Sequence, residues 1–162
     1  FLSKRNFWLE NQQNKLTRWF CYQTKVSDTQ RDKTKMYSLE VTFICHPTKY
    51  MKNNDVQTLT SNGVLRLQGS SLAFPKITIR GTSSSETSFT VGKQTIKLEQ
   101  LSDSAVMVND PQNPSFLDKK GNLVKWSGDF ITIDANQAQK TVGVVLGPGI
   151  QSLVFETNWG WL

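Results

Sequence analysis

The chain has 162 residues, enough for one compact domain and too few for two of ordinary size. With 37% hydrophobic and 20% charged residues it has the composition of a soluble globular protein, and no apolar run approaches the roughly 18–20 residues that a membrane span requires. The net charge of +6 invites a nucleic-acid reading, but basic residues never run longer than the pairs Lys4-Arg5 and Lys119-Lys120, and no nucleic-acid-binding signature accompanies them.

Much of the positive excess sits on Lys4, Arg5, Lys15, Arg18, Lys25, Arg31, Lys33 and Lys35, which points to a basic surface facing other protein subunits. Residues 1–22 carry no Gly or Pro, and Leu2, Leu9, Leu16 and Phe20 share one face at helical spacing, with Trp8 and Trp19 beside it. A short N-terminal helical segment is therefore expected, with its apolar face resting on the rest of the protein or on a partner. Residues 26–34 turn polar, as a connecting loop would. The expected division is a helical and linker segment over 1–35 and a β-domain over 36–162.

Residues 36–45 read as a strand, with Leu39, Val41, Phe43 and Cys45 alternating with Ser38, Glu40, Thr42 and Ile44. His46-Pro47 should end it, because proline has no N–H for the ladder. Further strands are expected at 56–60, 64–67, 76–80, 105–108, 130–134, 141–146 and 152–157. Asn62-Gly63 suits a turn at positive φ, residues 82–85 read as a small polar loop, and a hairpin across Gly92-Lys93 joins Phe89 and Val91 to Ile96, Leu98 and Leu101. Residues 110–114 form a turn-rich loop. About ten short strands with no alternating long helices predict a mainly β fold, an antiparallel sandwich or barrel.

The chemistry needed for catalysis is sparse. His46 is the only histidine, and nothing marks an activated Ser or Cys beside it. Three His and Cys side chains, widely spread, make a poor zinc set. Asp110, Asp118, Asp129 and Asp134 fall in or beside predicted turns, where Asp satisfies local backbone N–H groups. No catalytic residue, metal or cofactor is expected. Cys21 and Cys45 read most simply as free thiols in a reducing cytoplasm, with a single bridge left open.

Five tryptophans remain. Trp126, Trp159 and Trp161 are the candidate interaction surface, for protein or for glycan; Trp159 and Trp161 would point to one face of a strand. Large aromatics fill cores and subunit contacts more often than they stack on sugars.

Several motifs in order resemble the distal tail protein of long-tailed bacteriophages of Gram-positive hosts. They are Phe43-Ile44-Cys45-His46-Pro47-Thr48-Lys49-Tyr50, then Gly63, then Pro75-Lys76-Ile77-Thr78-Ile79-Arg80-Gly81, then Gly128-Asp129-Phe130. Leu146-Gly147-Pro148-Gly149-Ile150-Gln151-Ser152-Leu153 and the closing Trp159-Gly160-Trp161 complete the set. The resemblance covers residues from about 36 to the end. Gln151 replaces the family's usual Asn, and Asn109-Asp110 stands where Ile-Asp is common.

The resemblance implies a jelly-roll or galectin-like β-sandwich in a siphophage virion component without enzymatic activity. It implies a hexameric ring at the distal end of the tail, joining tail tube to tip and receptor-binding proteins, assembled in the host cytoplasm. Residues 1–35 would then be a remnant of the family's belt domain, and a chain opening at Phe1 reads as a fragment or a processed product. The alternative reading is a carbohydrate-binding sandwich for host surface polysaccharide. Neither reading involves a membrane or nucleic acid.

Overall fold

The computed structural model describes residues 5–27, 30–31 and 37–162, all of them in strands, turns and irregular segments. Two compact units divide the chain: one runs to Lys52 and takes in Trp161–Leu162, the other is Asn53–Gly160.

The first unit starts with a hairpin of β1 (Phe7–Asn11) and β2 (Asn14–Val26), pairing Trp8 with Phe20, Leu9 with Trp19 and Glu10 with Arg18. The expected helix over residues 1–22 is therefore replaced by strands; Leu2 lies outside the described residues. Adjacent aromatic pairs, Phe7-Trp8 and Trp19-Phe20, suit a pleated surface better than a helix. Between them Asn11 turns the chain, its Oδ1 accepting the Gln13 N–H at 2.9 Å. Leu16, central to the expected apolar helix face, is 79% exposed.

Two short strands follow, β3 (Gln30–Arg31) against β4 (Tyr37–Ser38), and then β5 (Val41–Met51) pairs antiparallel with β2. Residues 30–31, expected in a loop, are thus in β3, while 28–29 and 32–36 lie outside the described residues. The strand expected to stop at His46-Pro47 continues to Met51. Pro47 is tolerated because the ladder slips there: register passes from Trp19↔Lys49 to Cys21↔Cys45, so β5 spends four residues where β2 spends two.

The second unit contains β6 (Asp55–Leu59), β7 (Gly63–Arg66), β8 (Leu72–Ala73), β9 (Lys76–Ser83), β10 (Thr87–Val91) and β11 (Gln94–Leu98). It continues through β12 (Leu101–Val108), β13 (Ser115–Asp118), β14 (Trp126–Ser127), β15 (Ile133–Asp134), β16 (Thr141–Leu146) and β17 (Ile150–Thr157). One five-stranded sheet has the order β13-β12-β9-β17-β6, a second β14-β11-β10-β16-β7, and β8 pairs with β15. The last strand, β18 (Gly160–Trp161), joins the sheet of the first unit, whose order is β1-β2-β5-β18.

Strict alternation builds the sandwich core. Ile77, Ile79, Met107, Leu153 and Phe155 point inward from one sheet, and Leu65, Phe89, Val91, Ile96, Leu98 and Val144 from the other; all are buried. Three side-chain amides extend the backbone pairing where strands run out. Gln57 accepts from Arg66 N at 2.9 Å and donates to Arg66 O at 2.8 Å, tying β6 of one sheet to β7 of the other. Gln94 clasps Thr132 in the same two-way manner, and buried Asn109 donates to Pro75 O while accepting from Ile131 N. A buried amide with both ends satisfied fixes its segments at little desolvation cost.

Two of the sequence motifs meet here. Gly81 pairs with Ile150, and Thr82 N donates to Gly149 O at 2.9 Å. A Cβ on Gly81 would stand 2.1 Å from that carbonyl oxygen, and one on Gly149, where φ is +81°, would stand 2.4 Å from Thr82 O. Gly63 does not take the positive φ expected of an Asn-Gly turn; it opens β7, while Asn62 Oδ1 accepts the N–H of Leu146. Thr82 and Ser83, expected in a loop, belong to β9, and Leu101 belongs to β12 rather than to the preceding hairpin. Only Ile133–Asp134 of the strand expected over 130–134 is paired.

Candidate docking surface

The three tryptophans singled out from the sequence have different environments. Trp159 is buried in the second unit, its indole N–H donating to Asp55 Oδ2 at 2.9 Å, so it is a core residue rather than a surface ring. Trp126 is half-buried at the sheet edge, edge-to-face with Phe116 at 5.5 Å and with Phe130 at 5.0 Å. Trp161 is half-buried on β18 in the first unit. Trp159 and Trp161 thus do not form one exposed face, because Trp159 is buried.

The aromatic surface that does form is on β1, β2 and β5. Cross-strand register puts Trp8 beside Phe20 and Arg18 beside Tyr50 on one face. Trp8 makes edge-to-face contacts with Phe20 at 5.3 Å and Tyr50 at 5.6 Å, and the Arg18 guanidinium lies 4.0 Å over its ring. His46 joins the rim: its Nδ1 is 3.2 Å from the Tyr50 hydroxyl and accepts the Thr48 N–H at 3.3 Å. The opposite face carries Phe7 against Phe43 at 6.2 Å, with the Lys49 ammonium 4.9 Å over Trp19. Trp8 is still 40% exposed and Tyr22 47%.

Charge completes this surface. Glu10, opposite Arg18 in register, is paired instead with Lys52. Arg18 has no carboxylate partner among the described residues, and its enclosed Nε has no hydrogen-bond acceptor. Residues 1–52 hold ten Lys and Arg against four Asp and Glu, whereas 53–162 hold nine against nine, so the first segment carries the whole net charge. The sequence pointed to these residues through its basic N-terminus and aromatic doublets, but the helical reading dispersed them around a cylinder instead of setting them side by side.

The sandwich offers less. The outer face of its second sheet presents Thr90, Thr95 and Val145, the two threonine hydroxyls 3.1 Å apart. A groove of about 530 Å³ is lined by residues that include Lys93, Gln94, Asp134 and Gln137, and no aromatic ring lines it for a sugar to stack on. The turn aspartates act on their own backbone. Asp110 accepts from Gln112 N, Asp134 from Asn136 N, and Asp118 from both Lys120 N and Asn122 N. The Asn122 N–H groups, backbone and then side chain, hold the Asp118 carboxyl below the usual carboxylate range, and the Lys119 ammonium does the same for Asp103. Among the described residues no group of three or more His, Cys, Asp or Glu side chains is placed to hold a metal.

No family model and no curated protein matches the sequence. Among solved structures, the chain is similar to one described as "SPP1 Dit (gp 19.1) Protein, a Paradigm of Hub Adsorption Apparatus in Gram-positive Infecting Phages". The TM-score is 0.70 at 11% identity, over 99% of this chain and 68% of that one. The chain therefore has the fold of a phage distal tail protein across both units.

Proposed function

We propose that this chain is a structural component of a phage virion, a hub at the distal end of the tail that joins the tail tube to the tip and its receptor-binding proteins. It performs no reaction; it holds other proteins in register. The observation that carries this reading is the fold match, which spans the aromatic N-terminal sheet as well as the sandwich. The encounter of Gly81 with Gly149 supports it, since that contact unites two of the motifs on which the family resemblance rests.

The sheet of the first unit supplies the docking face in this account. Exposed aromatics with a cation held over one ring are the residue types that anchor protein interfaces. Arg18, without an internal carboxylate, fits a partner that presents one. The copies assemble in the host cytoplasm into a ring of six.

Light scattering on the full chain after gel filtration tests the ring. Particles of six times the 18.4 kDa chain mass, lost in Trp8→Ala or Arg18→Glu, are the expected result. A monodisperse monomer that persists to millimolar concentration contradicts it. Binding of the monomer to purified host polysaccharide would favour a glycan-reading module instead.

A further inference from the structure

Two thiols face each other where the β2–β5 ladder is irregular. Cys21 and Cys45 are register partners. Opposite residues in an antiparallel pair stand about 4.5–5.5 Å apart at Cα, within the roughly 4.4–6.8 Å that a disulfide spans. Both thiols are free. Cys21 is fully buried and donates its Sγ–H to Gln23 O at 3.3 Å, while Cys45 is half-buried. Register shifts flank Cys21 on both sides, between Trp19 and Cys21 and between Cys21 and Gln23. The ladder is therefore irregular on both sides of this pair, while the two cysteines themselves remain opposite each other. Pro47, which has no N–H to give, lies in the same interruption, so the ladder is thinnest where the two sulfurs meet.

We propose that this pair is a redox-modification site, at which a small-molecule disulfide oxidises the two thiols to an intramolecular Cys21–Cys45 bridge that staples β2 to β5. The half-exposed Cys45 reacts first. Its thiolate attacks one sulfur of oxidised glutathione, forming a mixed disulfide and expelling one glutathione thiolate. The Cys21 thiolate then attacks the Cys45 sulfur and expels the second. The protein loses two protons and two electrons, and the oxidant leaves as two reduced glutathione molecules. Burial and the neighbouring thiol push the Cys45 thiol up to about 11, so the thiolate is scarce at neutral pH and closure is slow there, quickening about tenfold per pH unit towards that value. A reducing cytoplasm keeps the thiols, and an oxidising medium outside the cell closes them. The chemistry stands whether or not the protein is a tail hub.

Incubation of the folded full chain with oxidised glutathione at pH 8.5, followed by alkylation and non-reducing peptide mapping, tests it. The expected product has lost the mass of two hydrogen atoms, yields a peptide linked through Cys21 and Cys45, and unfolds about 5 °C higher; dithiothreitol reverses all three. A stable glutathione adduct on Cys45, a disulfide between two chains, or two thiols still open to alkylation would each overturn the proposal. Cys45→Ser should abolish both the mass loss and the thermal shift. The wild-type mapping decides the matter even if that variant folds poorly.

Discussion

Gly81 and Gly149 show how little room the sandwich leaves at one contact. A methyl group on Gly81 would sit 2.1 Å from a backbone oxygen, which no side-chain rearrangement relieves, so strand β9 or the 147–149 turn would have to move. Gly121 is the matched contrast: its φ is +83°, yet nothing lies within 4 Å of a Cβ there. Gly121→Ala should therefore cost only the backbone strain of about 1–2 kcal/mol. Gly81→Ala should cost that plus overpacking, about 3 kcal/mol or more. Urea titrations of the two variants check the difference; equal costs would mean that the Gly81–Gly149 approach is not as tight as the structure has it. Cys45 gives a prediction in pH. Its thiol is raised in the folded state to about 11 from 9.0, so the stability it contributes is fully present below about pH 9 and is lost as pH rises through 11. Under reducing conditions the urea midpoint should fall over that window in the wild type and fall less in Cys45→Ser.

The strands of the sandwich could be read from the sequence because one-sided burial writes itself as period-2 alternation. Thr141–Leu146 and the Phe89–Leu98 hairpin across Gly92 appear where the pattern placed them. The N-terminal hairpin could not be read that way. Both faces of its sheet carry aromatics, so no alternation marks it, and Leu9, Leu16 and Phe20 coincide with helical spacing by accident of parity. Pro47 concealed the second half of β5, since a bulge that tolerates proline is invisible until the partner strand is known. The aromatic cluster on β1, β2 and β5 was hidden for the same reason: Tyr50 joins Trp8 only through that extension. Far-ultraviolet circular dichroism discriminates the two readings of the N-terminus. A spectrum without the paired minima of helix, in the full chain and unchanged by Leu16→Asn, is expected. A helical signal lost on deleting residues 5–22 would contradict the hairpin.

Charge and chain path give the protein its asymmetry. The N-terminal 52 residues hold all of the excess positive charge, and the polypeptide passes between the two units twice, at Lys52–Asn53 and at Gly160–Trp161. A basic unit without internal carboxylates enough to neutralise it repels copies of itself unless contacts are heterologous, patch against a different patch, as a ring requires. Assembly, or binding to an acidic partner, should therefore respond to salt. Raising ionic strength from about 0.05 to 0.5 M shortens the screening length about threefold and should weaken an Arg18-centred contact about tenfold or more, with little effect once Arg18 is replaced by Gln. Sedimentation velocity across that range reads the effect; salt-independent association would point to the apolar rings alone.

The placement of the protein in a virion is settled most directly by electron microscopy. Antibodies raised against the full chain should decorate intact phage particles at the distal end of the tail, at the junction with the tip, and nowhere else. Label confined to the capsid, or no label on particles purified from cells that make the protein, would contradict the account.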